Sequence, residues 1–356
     1  MTTCLCMEPL APTDDLVPRL SIVIPIHNGA GHLPNCLEAL RASTRAPDEI
    51  VVVDDNSTDD SAAIAREWGC TLVQLKGTQR GPATARNRGA RAISGDIVVF
   101  VDCDVAVHPD TLRLMEGQFL AQKNVSAVFG PYDEAPASNG IVSQYRNLLH
   151  HHVHQVSRRE ASTFWAGCGA LRREAFDEAG GFDETYRWAS IEDIELGVRL
   201  HRAGHRLVLC REIQATHRKQ WTLRQVIHTD VFYRAVPWTR LLLNQKRMPS
   251  DLNLRWQNRL SGMAAWTLVL GVLFGGGTSL AGIVGSTIAI LVACNWDLYR
   301  LFVRRGGVLF LLGAIALHWL HYLYAAATFA VISSEAFLRP SVSTDSPHPQ
   351  ELPASH

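Results

Sequence analysis

The eight cysteines of the 356-residue sequence include no C-x-x-C pair, and only Cys4 and Cys6 lie close together. That spacing excludes a zinc ribbon or a dense disulfide framework and points to reduced thiols. Neither charge is in excess: 34 Lys and Arg balance 34 Asp and Glu, so nothing draws the whole chain toward nucleic acid. The basic-then-apolar order of a signal peptide is missing from the start, and no internal repeat stands out. Charge is absent altogether from residues 262–295 and again from 307–333. The chain therefore reads as two unlike parts, a soluble domain and an apolar, Gly-rich C-terminal region.

The soluble part alternates short apolar runs with helical patterns. Residues 21–26, 49–53, 71–75 and 96–101 are apolar without alternation, and helical spacing marks 33–40, 62–68 and 83–93. Further on, strands are expected at 126–130 and 206–209, helices at 139–159, 173–179 and 191–203, and a small-residue loop over 163–171 leading into a strand. Continuous apolar strands separated by helices predict an α/β fold with a mainly parallel sheet covered on both faces. Such sheets bind ligands at the carboxyl ends of their strands, and Asp54, Asp55, Asp102 and Asp104 all fall at such ends.

Asp102-Cys103-Asp104 ends the strongest strand. Two carboxylates one residue apart in a loop can turn toward one hard cation, Mg²⁺ or Mn²⁺, which takes oxygen ligands and often one or two carboxylates plus substrate phosphates. A lone pair of this kind is more often two solvated loop acids. Here the strand context and the second acidic pair favour the metal. Cys103 fills the turn.

Five segments in order resemble family 2 glycosyltransferases with the GT-A fold: Ser-Ile-Val-Ile-Pro25-Ile-His-Asn, Val-Val-Val-Asp54-Asp55-Asn-Ser-Thr-Asp59, Gly-Pro-Ala-Thr-Ala-Arg86-Asn87-Arg-Gly89, the Asp102–Asp104 triplet, and Gly180-Gly181-Phe182-Asp183-Glu184 with Glu192-Asp193. The resemblance covers about residues 20 to 220. It implies a nucleotide-sugar site with Pro25 and Asn87 on the donor side and Asp55, or Asp54 beside it, on the base. It also puts Asp102 near the ribose or sugar, Arg86 on donor phosphate or sugar, and Asp104 on the metal. His217, after the last strand, would approach the metal or diphosphate, though a hydrogen-bonded loop His is an equal reading. The resemblance makes Asp193 the general base of an inverting transfer, with Glu192, Trp165 and Gly167 on the acceptor side. The plainer reading of Glu192 and Asp193 is that both favour a helix N-terminus. Adjacent helical residues diverge by about 100°, so the two are not expected to face one site equally. Gln220-Trp221 and Arg224 echo the motif of processive members in the wrong order, which favours single-sugar transfer. His150, His151, His152 and His154 are expected on an acceptor-facing or exposed polar helix rather than at a metal. Trp165 and Trp188 are candidates for stacking on sugar, with core packing the commoner fate of a Trp.

From 211 to 259, ten basic residues stand against three acidic ones, interleaved with aromatic and aliphatic side chains. That pattern fits helices lying in a membrane interface. The uncharged 262–295 run is too long for a single span of about 20 residues. With arginines on both flanks it is expected to cross twice, turning near Gly275-Gly276-Gly277. Residues 307–333 would make a third span. The expected division is a disordered segment 1–18, a GT-A domain 19–218, amphipathic interface helices 219–260, a transmembrane region 261–335 and a disordered tail 336–356. The function expected is a multi-pass inner- or plasma-membrane glycosyltransferase with a cytoplasmic catalytic domain. It would use Mg²⁺ or Mn²⁺, a nucleotide diphosphate sugar (UDP-linked by expectation) and a membrane lipid or lipid-linked acceptor. The alternatives are transfer to polyprenyl phosphate without a base, and a non-catalytic sugar-nucleotide-binding subunit.

Overall fold

The computed structural model describes residues 17–245, 255–274 and 276–338. Its first half alternates strands and helices: β1 (Leu20–Ile26), α1 (Leu33–Arg41), β2 (Glu49–Asp54), α2 (Ser61–Glu67), β3 (Thr71–Gln74), α3 (Pro82–Ala92) and β4 (Ile97–Val101). β5 (Val105–Val107), α4 (Thr111–Ala121), β6 (Val125–Phe129), α5 (Ile141–Val156), β7 (Glu160–Ala161), β8 (Cys168–Arg172) and α6 (Arg173–Glu178) follow. α7 (Glu192–Arg202), β9 (Arg206–Leu209) and β10 (Ala215–His217) complete the domain.

Eight strands form one sheet in the order β3-β2-β1-β4-β8-β6-β9-β7. β3, β2, β1 and β4 are parallel, whereas β8 runs antiparallel between β4 and β6. The apolar runs are continuous because both faces are covered. Ile22, Ile24, Val99 and Val101 pack with α1 and α4 on one side. Val23, Val51, Val98 and Phe100 pack with α3, α6 and α7 on the other. β2, β1 and β4 are neighbours, so residues just past β2 and β4 stand two strands apart, about 10 Å.

β5 and β10 lie outside the sequence-based expectation. They pair antiparallel in a separate two-stranded sheet, with His217 opposite Val105.

The C-terminal part comprises α8 (Leu223–His228), a π-helix (Thr229–Ala235), α9 (Val236–Gln245), α10 (Trp256–Phe274), α11 (Gly277–Cys294) and α12 (Trp296–Leu338). α10 and α11 form a hairpin: Asn295 Nδ2 donates to Ser261 Oγ at 3.1 Å, and Gly271 lies against Ile283. α10 starts at Trp256, earlier than the expected boundary at 261, while Gly275 of the expected turn lies outside the described residues. α12 breaks at Gly307 (φ 73°, ψ −174°) and runs to Leu338, past the expected start of the tail. The expected disordered ends otherwise fall outside the described residues. α12 is the one helix among the described residues that is long and apolar enough to cross a membrane, and α11 holds a shorter apolar stretch, Leu280–Cys294. α12 also packs on the α/β domain, where Tyr145, Leu148 and Leu149 of α5 meet Leu298, Phe302 and Phe310.

Candidate active site

The loops after β1, β2 and β4, the face of α5 and the first turn of α7 surround a cavity of about 470 Å³ at the carboxyl edge of the sheet. Of the two acids ending β2, Asp55 lines it and Asp54 does not. Asp54 accepts from Ser57 N at 2.9 Å and Gln74 Nε2 at 3.2 Å. The buried Asp55 carboxylate accepts the backbone N–H groups of Arg80 (2.9 and 3.0 Å) and Gly81 (2.7 Å), shaping the loop that bounds the cavity. Pro25 lines the cavity beside it.

Arg86 reaches the cavity from α3 and is 4% exposed. Its guanidinium donates to Asp102 Oδ1 and to Glu192 Oε1, each at 2.7 Å, tying the triplet after β4 to the start of α7.

Asp104 Oδ2 and His217 Nε2 stand 3.6 Å apart. The β5–β10 register brings them together, and Arg218 N donates to Asp104 O at 2.8 Å to lock it. Burial would raise the Asp104 carboxyl, but His217, Lys219 and His32 hold it below its ordinary range. His217 Nδ1 meets Asn147 Oδ1 at 3.0 Å. A carboxamide oxygen accepts, so Nδ1 donates to it, and Nε2 is the ring nitrogen turned toward Asp104. Neighbouring ligands of one octahedral cation lie about 3 Å apart, so this pair fits two positions of a divalent ion. No group of three or more His, Cys, Asp or Glu side chains is gathered for a metal among the described residues. The remaining positions would fall to phosphate oxygens and water.

Glu192 and Asp193 both line the cavity. They divide because their partners differ. Glu192 is bound by Arg86 and by Ser190 N at 2.8 Å. Asp193 accepts from Ala166 N at 3.1 Å and Ile194 N at 2.8 Å. Burial, then the nearby Glu192 charge, push the Asp193 carboxyl up to about 7, against the opposing pull of Arg86. α7 can lie this close to the 163–166 loop because residue 197 is Gly: a Cβ there would sit 2.1 Å from Phe164 N.

Residues 21–180 match the model of glycosyl transferase family 2. The chain carries a family 2 glycosyltransferase domain. It is 26% identical over 237 residues to an O-antigen chain rhamnosyltransferase of Salmonella anatum, covering 62% of this chain and 74% of that protein. It is 29% identical over 249 residues to the validoxylamine A glucosyltransferase of Streptomyces hygroscopicus subsp. limoneus, covering 60% of this chain and 55% of the other. Among solved structures it is similar to a mannosyltransferase from Pyrobaculum calidifontis in complex with GDP-Man and Mn²⁺, at 18% identity and TM-score 0.48, over 94% of this chain and 92% of that one. The chain is a glycosyltransferase whose sheet is mixed and mainly parallel.

Within this glycosyltransferase, Asn87 is not at the cavity. Its amide donates to Phe182 O at 2.8 Å and to Glu184 Oε1 at 3.0 Å, and it accepts from Phe182 N at 2.9 Å. It pins the Gly180–Glu184 segment to α3, a buried structural role that a motif match does not separate from ligand contact. Of the two expectations for the histidines of α5, an acceptor-facing or an exposed face, exposure does not hold for His151 and His154. His151 and His154 are buried, and His150 lines the cavity. Trp165 and Gly167 line it as well, and Trp188 lines it while 54% exposed.

Tyr132, Arg146, Asn147, Lys219 and Trp221 line the cavity without having been singled out as site residues by the sequence. The π-helix supplies the roof through Thr229, Tyr233 and Arg234. Its other face carries Asp230, which meets Arg146 Nη2 at 2.6 Å and accepts from Tyr324 Oη of α12 at 2.6 Å.

Proposed function

We propose that this glycosyltransferase moves one sugar from a nucleoside diphosphate, UDP by preference, onto the hydroxyl of a membrane lipid or lipid-linked acceptor, with inversion at the anomeric carbon. The observation that carries the reading is the placement of Asp193 across one cavity from Asp55, Asp102 and Asp104, with its carboxyl poised to titrate near neutral pH. A general base works best when its pKa lies near the working pH. Asp193 takes the proton of the acceptor hydroxyl, whose oxygen attacks the anomeric carbon while the nucleoside diphosphate leaves with the bonding electrons. Asp55 and Pro25 bound the nucleotide, Asp102 the ribose or sugar, and Arg86 holds Asp102 and Glu192 in register. Asp104 and His217 would hold Mg²⁺ or Mn²⁺, which when bound neutralises charge growing on the leaving diphosphate.

The anchor is read as multi-pass, with the catalytic domain on the cytoplasmic face; α12, long and apolar enough to cross a membrane, and the apolar stretch of α11 support an anchor. Outward residues of α10 and α12 are apolar, among them Leu273, Phe274, Leu309 and Leu312. Lys219 and Arg234 in the same cavity favour a second reading, transfer to a polyprenyl phosphate oxygen, which needs no base. Membranes holding the chain are supplied with labelled nucleotide sugars, and lipid products are read by mass spectrometry. Loss of transfer in Asp104→Ala and Asp193→Asn supports the main reading. Unchanged transfer by Asp193→Asn favours the phosphate acceptor. A chain that neither binds nor consumes any nucleotide sugar overturns both.

A further inference from the structure

The roof of the cavity is wound as a π-helix, and a proline explains the winding. Val236 N–H bonds Val231 O, five residues back rather than four. Pro237 has no N–H to give the carbonyl four residues before it, and its ring crowds that carbonyl. The carbonyl is that of Tyr233, and Ser190 Oγ donates to it at 2.6 Å. The wider turn is thus set by Pro237 and held by Ser190. In an α-helix, residues five apart diverge by about 140°. With bonds to the fifth residue they sit on neighbouring turns of one face. Thr229 and Arg234 are five apart, and both line the cavity. π-Helices are rare and gather at functional sites.

Arg234 brings a charge that the described residues leave largely uncompensated. Its nearest acid, Asp230, is 3.9 Å away, beyond hydrogen-bonding distance. Arg146 already stands 2.6 Å from one Asp230 oxygen and 3.0 Å from the other, and Tyr324 Oη donates to Asp230 at 2.6 Å. One arginine therefore neutralises Asp230. The Arg234 guanidinium makes no hydrogen bond among the described residues, and its side chain is 33% exposed, so a ligand can reach it. The Thr229 hydroxyl likewise has no partner among the described residues. The other cavity cations are committed: Arg86 to Asp102 and Glu192, Arg146 to Asp230, and Lys219 to the Trp221 ring at 4.4 Å.

A planar guanidinium with a hydroxyl on the same helix face suits a phosphate, which takes two N–H groups at once. Position separates two sources of that phosphate. The donor diphosphate belongs with Asp104 and His217. Arg234 instead shares Asp230 with α12, where Tyr324 donates to it and His321 Nδ1 stands 3.5 Å from it. Phe232, two residues earlier, is exposed on the outside of the roof. Arg234 thus stands where the cavity meets the C-terminal helices, the side from which a lipid-borne acceptor arrives and a soluble donor does not.

We propose that Arg234 and Thr229 form a subsite for a phosphate group of the acceptor, so that the acceptor is a lipid carrying a phosphate or diphosphate rather than a neutral lipid alcohol. This rests on the reading of Asp193 as base. The phosphate is gripped and not attacked: no bond to phosphorus forms or breaks. The hydroxyl that gives its proton to Asp193 lies elsewhere on the same molecule. Its oxygen joins the donor's anomeric carbon, and the nucleoside diphosphate departs with the electron pair.

The test isolates the lipid product made by the full chain in membranes supplied with labelled nucleotide sugars, and fragments it. The expected product carries a phosphate or diphosphate in its acceptor part, with the new sugar on a hydroxyl. A product without phosphorus overturns the proposal while leaving glycosyl transfer intact, and so does a new sugar on the phosphate itself. No product from any nucleotide sugar overturns the functional reading as well. With the acceptor so identified, Arg234→Gln is expected to raise acceptor KM about 10–100-fold, the loss of hydrogen bonds to a charged group. Arg234→Lys keeps the charge but not the fork and is expected to fall between. The Kd of both variants for the nucleotide sugar, measured by calorimetry, is expected to match that of the unaltered chain, which also reports correct folding. An unchanged acceptor KM with a raised donor Kd would place Arg234 on the donor diphosphate and sink the proposal.

Discussion

Replacing Asp193 by Asn is expected to stabilise this protein while silencing it, and the effect depends on pH. The carboxyl is pushed from its ordinary 3.8 up to about 7 by burial and by Glu192. Between those two values the native state keeps a proton that the unfolded chain gives up, so native stability falls as pH rises through that window and levels off above it. A rise of about three units corresponds to about 4 kcal/mol at pH 8. Asn carries no charge and avoids that cost. It has a single carboxamide oxygen, whereas Asp193 accepts from Ala166 N and Ile194 N on separate oxygens, so one contact is lost. That loss costs about 1 kcal/mol. The variant is therefore expected to be about 3 kcal/mol more stable than the parent at pH 8 and about 1 kcal/mol less stable at pH 4, by the same two terms. Urea unfolding of the detergent-solubilised chain, followed by tryptophan fluorescence from pH 4 to 8, measures this. Transfer measured in parallel should show an acid limb near pH 7 in the parent and fall about 10²–10⁴-fold in the variant. A stability difference that does not change with pH would refute the reasoning.

Asn147→Ala removes the acceptor that sets the His217 proton, and Mn²⁺ affinity with bound nucleoside diphosphate, read by electron paramagnetic resonance, should weaken about 10–100-fold; unchanged affinity would remove Asn147 from that role. Gly197→Ala forces a Cβ to 2.1 Å from Phe164 N, backbone that cannot give way, and should cost about 3 kcal/mol or more in chemical denaturation. The control Gly117→Ala in α4 meets nothing within 4 Å and should be neutral or stabilising by up to about 1 kcal/mol. Asp230→Ala leaves Arg146 buried without its partner and should cost about 3–5 kcal/mol, with faster proteolysis across the π-helix; cleavage at the parental rate would show that the roof is held by other contacts.

The acids at the carboxyl edge of the cavity were legible because their signals are local. Apolar runs that both faces of a sheet demand end in acids, and strand ends are where such sheets bind. The choice between Asp54 and Asp55 was not legible, since it turns on which way the chain rotates as β2 ends. The motif around Arg86 and Asn87 looked uniform, yet Arg86 faces the cavity while Asn87 faces the Gly180–Glu184 segment. His217 was suspected from the family, but the cause of its position is the pairing of two three-residue strands far apart in sequence. Strands that short leave almost no periodic signal. Tyr132 was missed for the same reason, since nothing local ties it to His150, Trp165 and His217, which come from other segments and share the cavity lining with it.

The roof of the cavity hangs from Asp230, and one of the two groups that grip Asp230 most closely is Tyr324, near the end of α12. The ribosome makes that residue after every strand of the sheet. A growing chain with its sheet already folded would possess every acid discussed above and still lack the lid that those late residues hold in place. Completion of the site is thus tied to arrival of the C-terminal helices, which gives the enzyme a built-in order of assembly: seating first, sugar transfer afterward.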